Sequence, residues 1–172
     1  MRDRSRYNDE ARRFFDSEYP GLYRYALYLT RHQETAEEIC QETFLRWYKL
    51  PRPEEIERPR AWLRTVGAHL AYNHLRRQNR RLQLESSEPL DMIPLARQPD
   101  TAQLEVEDVL NRMSWRDRML IKLRMVGLSY NEIAEVMDLS LGSVGTMLAR
   151  ALKRFKEEYQ GKEAGIKDEM SR

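Results

Sequence analysis

The chain has 172 residues, of which 34% are charged, yet its net charge is only +2. That length suits one ordinary domain or two small ones, and the single cysteine, Cys40, excludes an internal disulfide and fits a reducing compartment. No stretch approaches the ~20 apolar residues of a membrane span, and the opening "MRDRSRYNDEARRFF" lacks an apolar core of signal-peptide length; the expectation is a soluble, cytoplasmic protein without membrane insertion.

Near-neutrality hides segregation of charge. Between Arg58 and Leu84 there are seven arginines and no acid; between Glu85 and Asn111 there are seven acids and one base, Arg97. Blocks of this size point to a partner carrying phosphates and to a segment that avoids or imitates it. Helical periodicity dominates, and no run alternates apolar and polar residues like a strand.

Phe14 to Thr30 is predicted as a helix, with Tyr19-Pro20 near a bend. In "TAEEICQETFLRWYKL", Thr35 and Glu38 have capping-box spacing, which places a helix start at Thr35. Ile39, Cys40, Thr43, Phe44 and Trp47 then share one face, the core side. The opposite face carries Glu38, Gln41, Glu42, Leu45 and Lys49. Leu45 is apolar among polar neighbours, either a singly exposed leucine or part of a protein contact patch.

"LPRPEEIERPR" has Pro51, Pro53 and Pro59 within nine residues and reads as a loop. "AWLRTVGAHLAYNHLRRQNRR" resumes the helical period. Leu63, Val66, Leu70 and His74 are expected on its buried side. Trp62, His69, Asn73, Arg76 and Arg80 form a second stripe, where aromatic and basic residues interleave with an amide. That composition suits phosphate pairing, base stacking and edge contacts. The bland counterpart is a solvated basic face, which the lack of acids over this block disfavours.

Leu82 to Gln103 contains Pro89, Pro94 and Pro99, through which no helical face can be drawn. It is expected to be a flexible acidic linker, or one ordered on binding. The chain then divides into a domain at 10–81, a linker at 82–104, a domain at 105–158 and a polar tail at 159–172.

In the second domain Ser114 with Asp117, and Ser129 with Glu132, have capping-box spacing and start helices. "DLS" breaks the helix after Met137, and Ser140 can cap a third helix from about Leu141 to Glu157. Ile133, Ala134, Met137, Val144, Leu148 and Leu152 are expected in the core. Two short helices around a tight turn form a helix-turn-helix, whose second helix enters the major groove by its N-terminal residues. Its groove-facing candidates are Gly142, Ser143, Gly145, Thr146 and Met147. Arg150, Lys153, Arg154 and Lys156 follow as phosphate contacts.

"TAEEICQETFLRWY", "RAWLRTVGAHLAYNHLRRQNR" and "LSYNEIAEVMDLSLGSVGTMLARALKRF", in this order, resemble the bacterial extracytoplasmic-function (ECF) sigma factors of the sigma-70 family. The resemblance spans about residues 14–157. It implies an all-α fold of two small helical domains, the second a helix-turn-helix. It also implies binding to core RNA polymerase, and to promoter DNA as duplex and as single-stranded non-template strand, with an anti-sigma factor as a further partner. Glu38, Gln41, Glu42 and Leu45 would dock the polymerase. Arg58, Arg60, Trp62, Asn73, Arg76, Arg77 and Arg80 would hold the minus-ten element, and the loop Pro51 to Arg60 a flipped base. Ser143, Gly145, Thr146, Met147, Arg150 and Arg154 would read the minus-thirty-five element. The linker would follow the RNA-exit path.

The chain departs from the family's pattern at two positions. Asp138 stands at a turn where glycine is common, and Gly145 where a lysine or arginine is common, which removes a groove-facing base contact. Three other function classes compete. A free-standing helix-turn-helix regulator usually dimerises, and no heptad or dimer helix is evident. An enzyme needs clustered ligands or an acid–base pair. His69 and His74 lie roughly 140° apart around a helix, and Asp91, Asp100 and Asp108 sit in or beside the linker, so no catalytic residue, metal or cofactor is expected. A mimic that only titrates a regulator has no use for the arginines.

Overall fold

Every regular element among the described residues is a helix, as the apolar spacing predicts. The computed structural model describes the backbone of residues 4–85 and 101–169 and the side chains of residues 9–82 and 104–161. The chain forms two units, Met1–Pro94 and Leu95–Arg172.

In the first unit α1 spans Arg4–Thr30, α2 Gln33–Tyr48 and α3 Pro59–Glu85, with a single 3-10 turn at Pro53–Glu55. Helix α1 starts ten residues before the expected Phe14 and continues through Pro20. Asp16 and Pro20 are both exposed, so water can take the carbonyl that the missing proline amide leaves. The α1–α2 corner is tight. Arg31 takes a left-handed φ of 59°, and the Thr30 hydroxyl donates to the Ala26 carbonyl at 2.8 Å.

The start of α2 differs from the expected Thr35 cap. His32 is the N-cap, and its Nδ1 accepts the Thr35 N–H at 3.3 Å. Thr35 lies inside the first turn and is buried, and its hydroxyl pairs with the same His32 Nδ1 at 3.1 Å instead of capping the helix itself. Pro59, expected in the loop, opens α3, where a missing N–H costs nothing.

The three helices pack pairwise around Leu22, Tyr25, Ala26 and Leu29 of α1, Ile39, Cys40 and Phe44 of α2, and Leu63 of α3. The buried side of α3 continues through Gly67, Ala68, Ala71 and Tyr72. Val66, Leu70 and His74, expected there, are only half-buried. A Cβ on Gly67 would meet Leu22 Cδ1 at 3.2 Å, with Thr43 and Ile39 within 3.9 Å. Helix α3 therefore presses its backbone into the groove between α1 and α2, and small residues serve that contact better than larger apolar ones.

In the second unit α4 spans Thr101–Arg112, α5 Trp115–Met125, α6 Tyr130–Met137 and α7 Leu141–Glu169. Helix α3 reaches Glu85 and α4 begins at Thr101, so both ends of the expected 82–104 linker are helical. Its remaining residues, 86–100, with Pro89, Pro94 and Pro99, lie outside the described residues.

The core holds Val109 and Leu110, Met119 to Leu123, Ile133, Ala134, Val136 and Met137, and Val144, Leu148 and Ala151. Leu152, expected inside, is 47% exposed, and Ala151 takes its place. Lys122 is 2% exposed, and its Nζ lies 3.4 Å from the Glu107 carboxylate across the α4–α5 contact; burial of a lysine demands such a partner. Helix α7 outruns the expected end at Glu157. Within the expected polar tail, the Tyr159 hydroxyl donates to Glu105 at 3.1 Å and ties α7 to α4.

Candidate nucleic-acid interface

The helix-turn-helix consists of α6 and α7. Ser129 and Glu132 form a complete capping box at the start of α6. Ser114 caps α5 through the Asp117 amide, but the Asp117 side chain does not close the box. It turns instead to Arg154. After Met137 the chain reverses with Asp138 in the left-handed region, φ 54° and ψ 55°. The Leu139 N–H reaches back to the Ala134 carbonyl at 2.9 Å. That 6→1 bond usually accompanies glycine at the left-handed position. Asp138 occupies it because a short polar side chain tolerates this conformation better than most.

The turn leaves the start of α7 open. Gly142, Thr146 and Arg150 are exposed, and Ser143, Gly145 and Met147 are half-buried. The Ser140 hydroxyl pairs with the Ser143 hydroxyl, so Ser143 is partly committed within the turn. A Cβ on Gly145 would lie 3.6 Å from Cε2 of Tyr130, an ordinary contact, so this half-buried position lies beside the start of α6. The Tyr130 ring is itself 44% exposed and lies beneath the Arg124 guanidinium, 5.6 Å from its carbon. Arg154, expected as a phosphate contact, is ion-paired with Asp117.

In the first unit, Arg58, Arg76, Arg77 and Arg80 are exposed and Asn73 is half-buried. Arg60 donates its Nε–H to Glu18 of α1 at 2.9 Å. Trp62 is half-buried and meets Trp47 edge to face. His74 lies beside this basic run; burial, then the Arg77 charge, push its pKa down, while Glu38 opposes them.

The face of α2 opposite the core carries Glu38, Gln41 and Leu45 in the open, with Glu42 half-buried. Leu45 is 50% exposed, and Glu42 accepts from Arg46 at 2.8 Å. On the core side, burial pushes the Cys40 thiol up to about 12, and the Glu37 charge adds to it.

The residues missed from sequence are Glu18, Trp47 as the partner of Trp62, Asp117 as the partner of Arg154, and Tyr130. Glu18–Arg60 and Asp117–Arg154 are 42 and 37 positions apart, and no local spacing rule reaches that far.

Comparison with known proteins matches residues 14–81 to Sigma-70 region 2 and residues 103–155 to Sigma-70, region 4. The ECF RNA polymerase sigma factor SigL of Mycobacterium tuberculosis is 30% identical over 157 residues, covering 87% of this chain and 88% of SigL. The chain belongs to the ECF RNA polymerase sigma-factor family. BldN of Streptomyces coelicolor, another ECF sigma factor, is 29% identical over 82% of this chain, which spans only 57% of BldN. The fold matches the sigma factor RpoE of Bartonella quintana, solved with the anti-sigma factor NepR, at a TM-score of 0.59 and 22% identity. That alignment covers 87% of this sigma factor and 96% of RpoE. Among the described residues no helix is long and apolar enough to cross a membrane, and no group of three or more His, Cys, Asp or Glu could hold a metal.

Proposed function

We propose that this sigma factor binds core RNA polymerase and directs it to promoters, recognising DNA with both units and stabilising the opened strands. It does no bond chemistry itself and works in the cytoplasm, where the polymerase and DNA are. The observation that carries this reading is the pairing of an exposed arginine run on α3 with an open helix-turn-helix in one chain of the sigma-70 family. Arg58, Arg60, Trp62, Asn73, Arg76, Arg77 and Arg80 are assigned to the minus-ten region. Phosphate pairing from the arginines and stacking from the tryptophan suit strands that part. The start of α7, with Ser143, Gly145, Thr146, Met147, Arg150 and Arg154, is assigned to the minus-thirty-five duplex.

Glu38, Gln41, Glu42 and Leu45 are assigned to the polymerase. They share the face of α2 turned away from the core, and an exposed leucine rimmed by polar groups suits a protein contact. Family membership supports an anti-sigma factor as a second partner, as with RpoE and NepR. Residues between the units would act as a spacer that lets each reach its own promoter element.

Run-off transcription tests the proposal. Purified core polymerase with this chain should initiate at discrete sites on host promoter fragments, and core alone should not. Specific duplex binding without polymerase, combined with no effect on transcription, would instead indicate a free-standing regulator.

A further inference from the structure

Two arginines of the proposed DNA surfaces, one in each unit, are held in the same manner. The Arg60 side chain is 76% exposed, and its Nε–H donates at 2.9 Å to Glu18, whose side chain is only 14% exposed. The Arg154 side chain is 59% exposed, and its Nη1 donates to Asp117, which is 13% exposed. In both cases an acid rooted in the protein grips a base that reaches outward.

Each acid is fixed by its own surroundings. The Glu18 side chain is largely covered by the protein, and its carboxylate lies 3.3 Å from the Ser17 hydroxyl, whose one proton has the Phe14 carbonyl nearer, at 2.9 Å. Asp117 lies in the first turn of α5, where its amide is bound by Ser114 and where negative charge complements the helix dipole. The arginines are less restrained. A guanidinium carries five N–H donors in a planar fork, and the carboxylate takes one, which leaves the rest of each exposed head for another oxygen. An ion pair with one exposed partner adds little to fold stability, so stability is a weak reason for this arrangement. Holding one edge of a long side chain in advance reduces the freedom it loses on binding.

We infer that Glu18 and Asp117 are positioning residues: each anchors one edge of its arginine so that the other edge meets a backbone phosphate of promoter DNA. The inference rests on the DNA-binding role proposed above for Arg60 and Arg154.

The test uses holoenzyme assembled from the full chain and host core polymerase. The probes are host promoter fragments retained by the wild-type holoenzyme, titrated across a salt series. Arg60→Ala and Arg154→Ala should each weaken binding and flatten the salt slope by about one. Glu18→Gln and Asp117→Asn each remove an acid, so general charge attraction alone should tighten binding. Positioning gives the opposite: binding weakens about three- to tenfold, and Arg60→Ala combined with Glu18→Gln is no worse than Arg60→Ala alone. Glu18→Asp and Asp117→Glu keep the charge but move the carboxylate. They should also weaken binding while melting like the wild type, which separates aim from folding. Tighter binding and a steeper salt slope in Glu18→Gln would overturn the inference, because the acids would then compete with DNA. Unaltered binding by both arginine variants would overturn it differently, by removing these arginines from the DNA surface.

Discussion

Trp47 and Trp62 meet edge to face, with ring centroids 5.3 Å apart and planes inclined at 67°. Trp47 is 7% exposed and belongs to the core; Trp62 is half-buried and belongs to the surface of α3. One indole thus fixes the other, and the outer ring keeps an open side.

Trp62→Ala should therefore have two effects. The lost ring pair should lower stability by about 0.5–1.5 kcal/mol. The lost stacking surface should weaken binding to opened promoter DNA by ~1–3 kcal/mol. Melting and binding to pre-opened promoter fragments check the two separately. A variant that melts lower but binds opened DNA normally would return Trp62 to a packing role alone.

Leu45 and Phe44 are neighbours with opposite fates, 50% and 2% exposed. Leu45→Asp should leave stability within about 0.5 kcal/mol, as surface changes usually do, and should weaken binding to core polymerase. Phe44→Ala should cost ~3–5 kcal/mol of folding stability. Unaltered affinity for core in a folded Leu45→Asp variant would remove this face from the polymerase contact.

Two helical glycines should respond with opposite sign. A Cβ on Gly145 meets Tyr130 at an ordinary 3.6 Å. Gly145→Ala should therefore stabilise the second unit by up to about 1 kcal/mol. Gly67 has Leu22 at 3.2 Å, with Ile39 and Thr43 behind it, and Leu22 is buried. Gly67→Val should cost ~1–3 kcal/mol through overpacking. Thermal unfolding of the two variants gives the comparison directly.

His74 makes stability depend on pH. Burial, then Arg77, lower its pKa in the fold, so the unfolded chain binds a proton first. Stability contributed by the neutral ring is complete above the unfolded value of about 6.5 and falls as pH drops below it. His74→Gln should lose less stability than the wild type between pH 7 and 5 in denaturant titrations. The two other histidines are common to both proteins, so parallel curves would show that His74 is not responsible.

Much of this sigma factor is legible in its sequence, for reasons that are local. The core face of α2 follows from a 3.6-residue period, and the exposure of Leu45 from its place opposite that face. Ser114 and Ser129 mark helix starts because a cap acts within one turn. The break after Met137 needs a left-handed residue, and Asp138 is among the few side chains that accept one. The arginine block is visible because like charges crowd one stretch of chain.

Tertiary structure decided the rest. Thr35 has capping-box spacing, yet His32 caps α2, because the left-handed turn at Arg31 starts the helix at Gln33 and places Thr35 inside its first turn, against the His32 ring. Val66 and Leu70 are more apolar than Gly67 and Ala71, yet the small residues are buried, because α3 lies against two helices at once and backbone proximity outweighs side-chain size. Sequence marks Arg60 and Arg154 only as candidate DNA contacts; chain folding brings Glu18 and Asp117 to them. Sequence spacing specifies which side of a helix a residue occupies; only packing specifies which distant residue stands there to meet it.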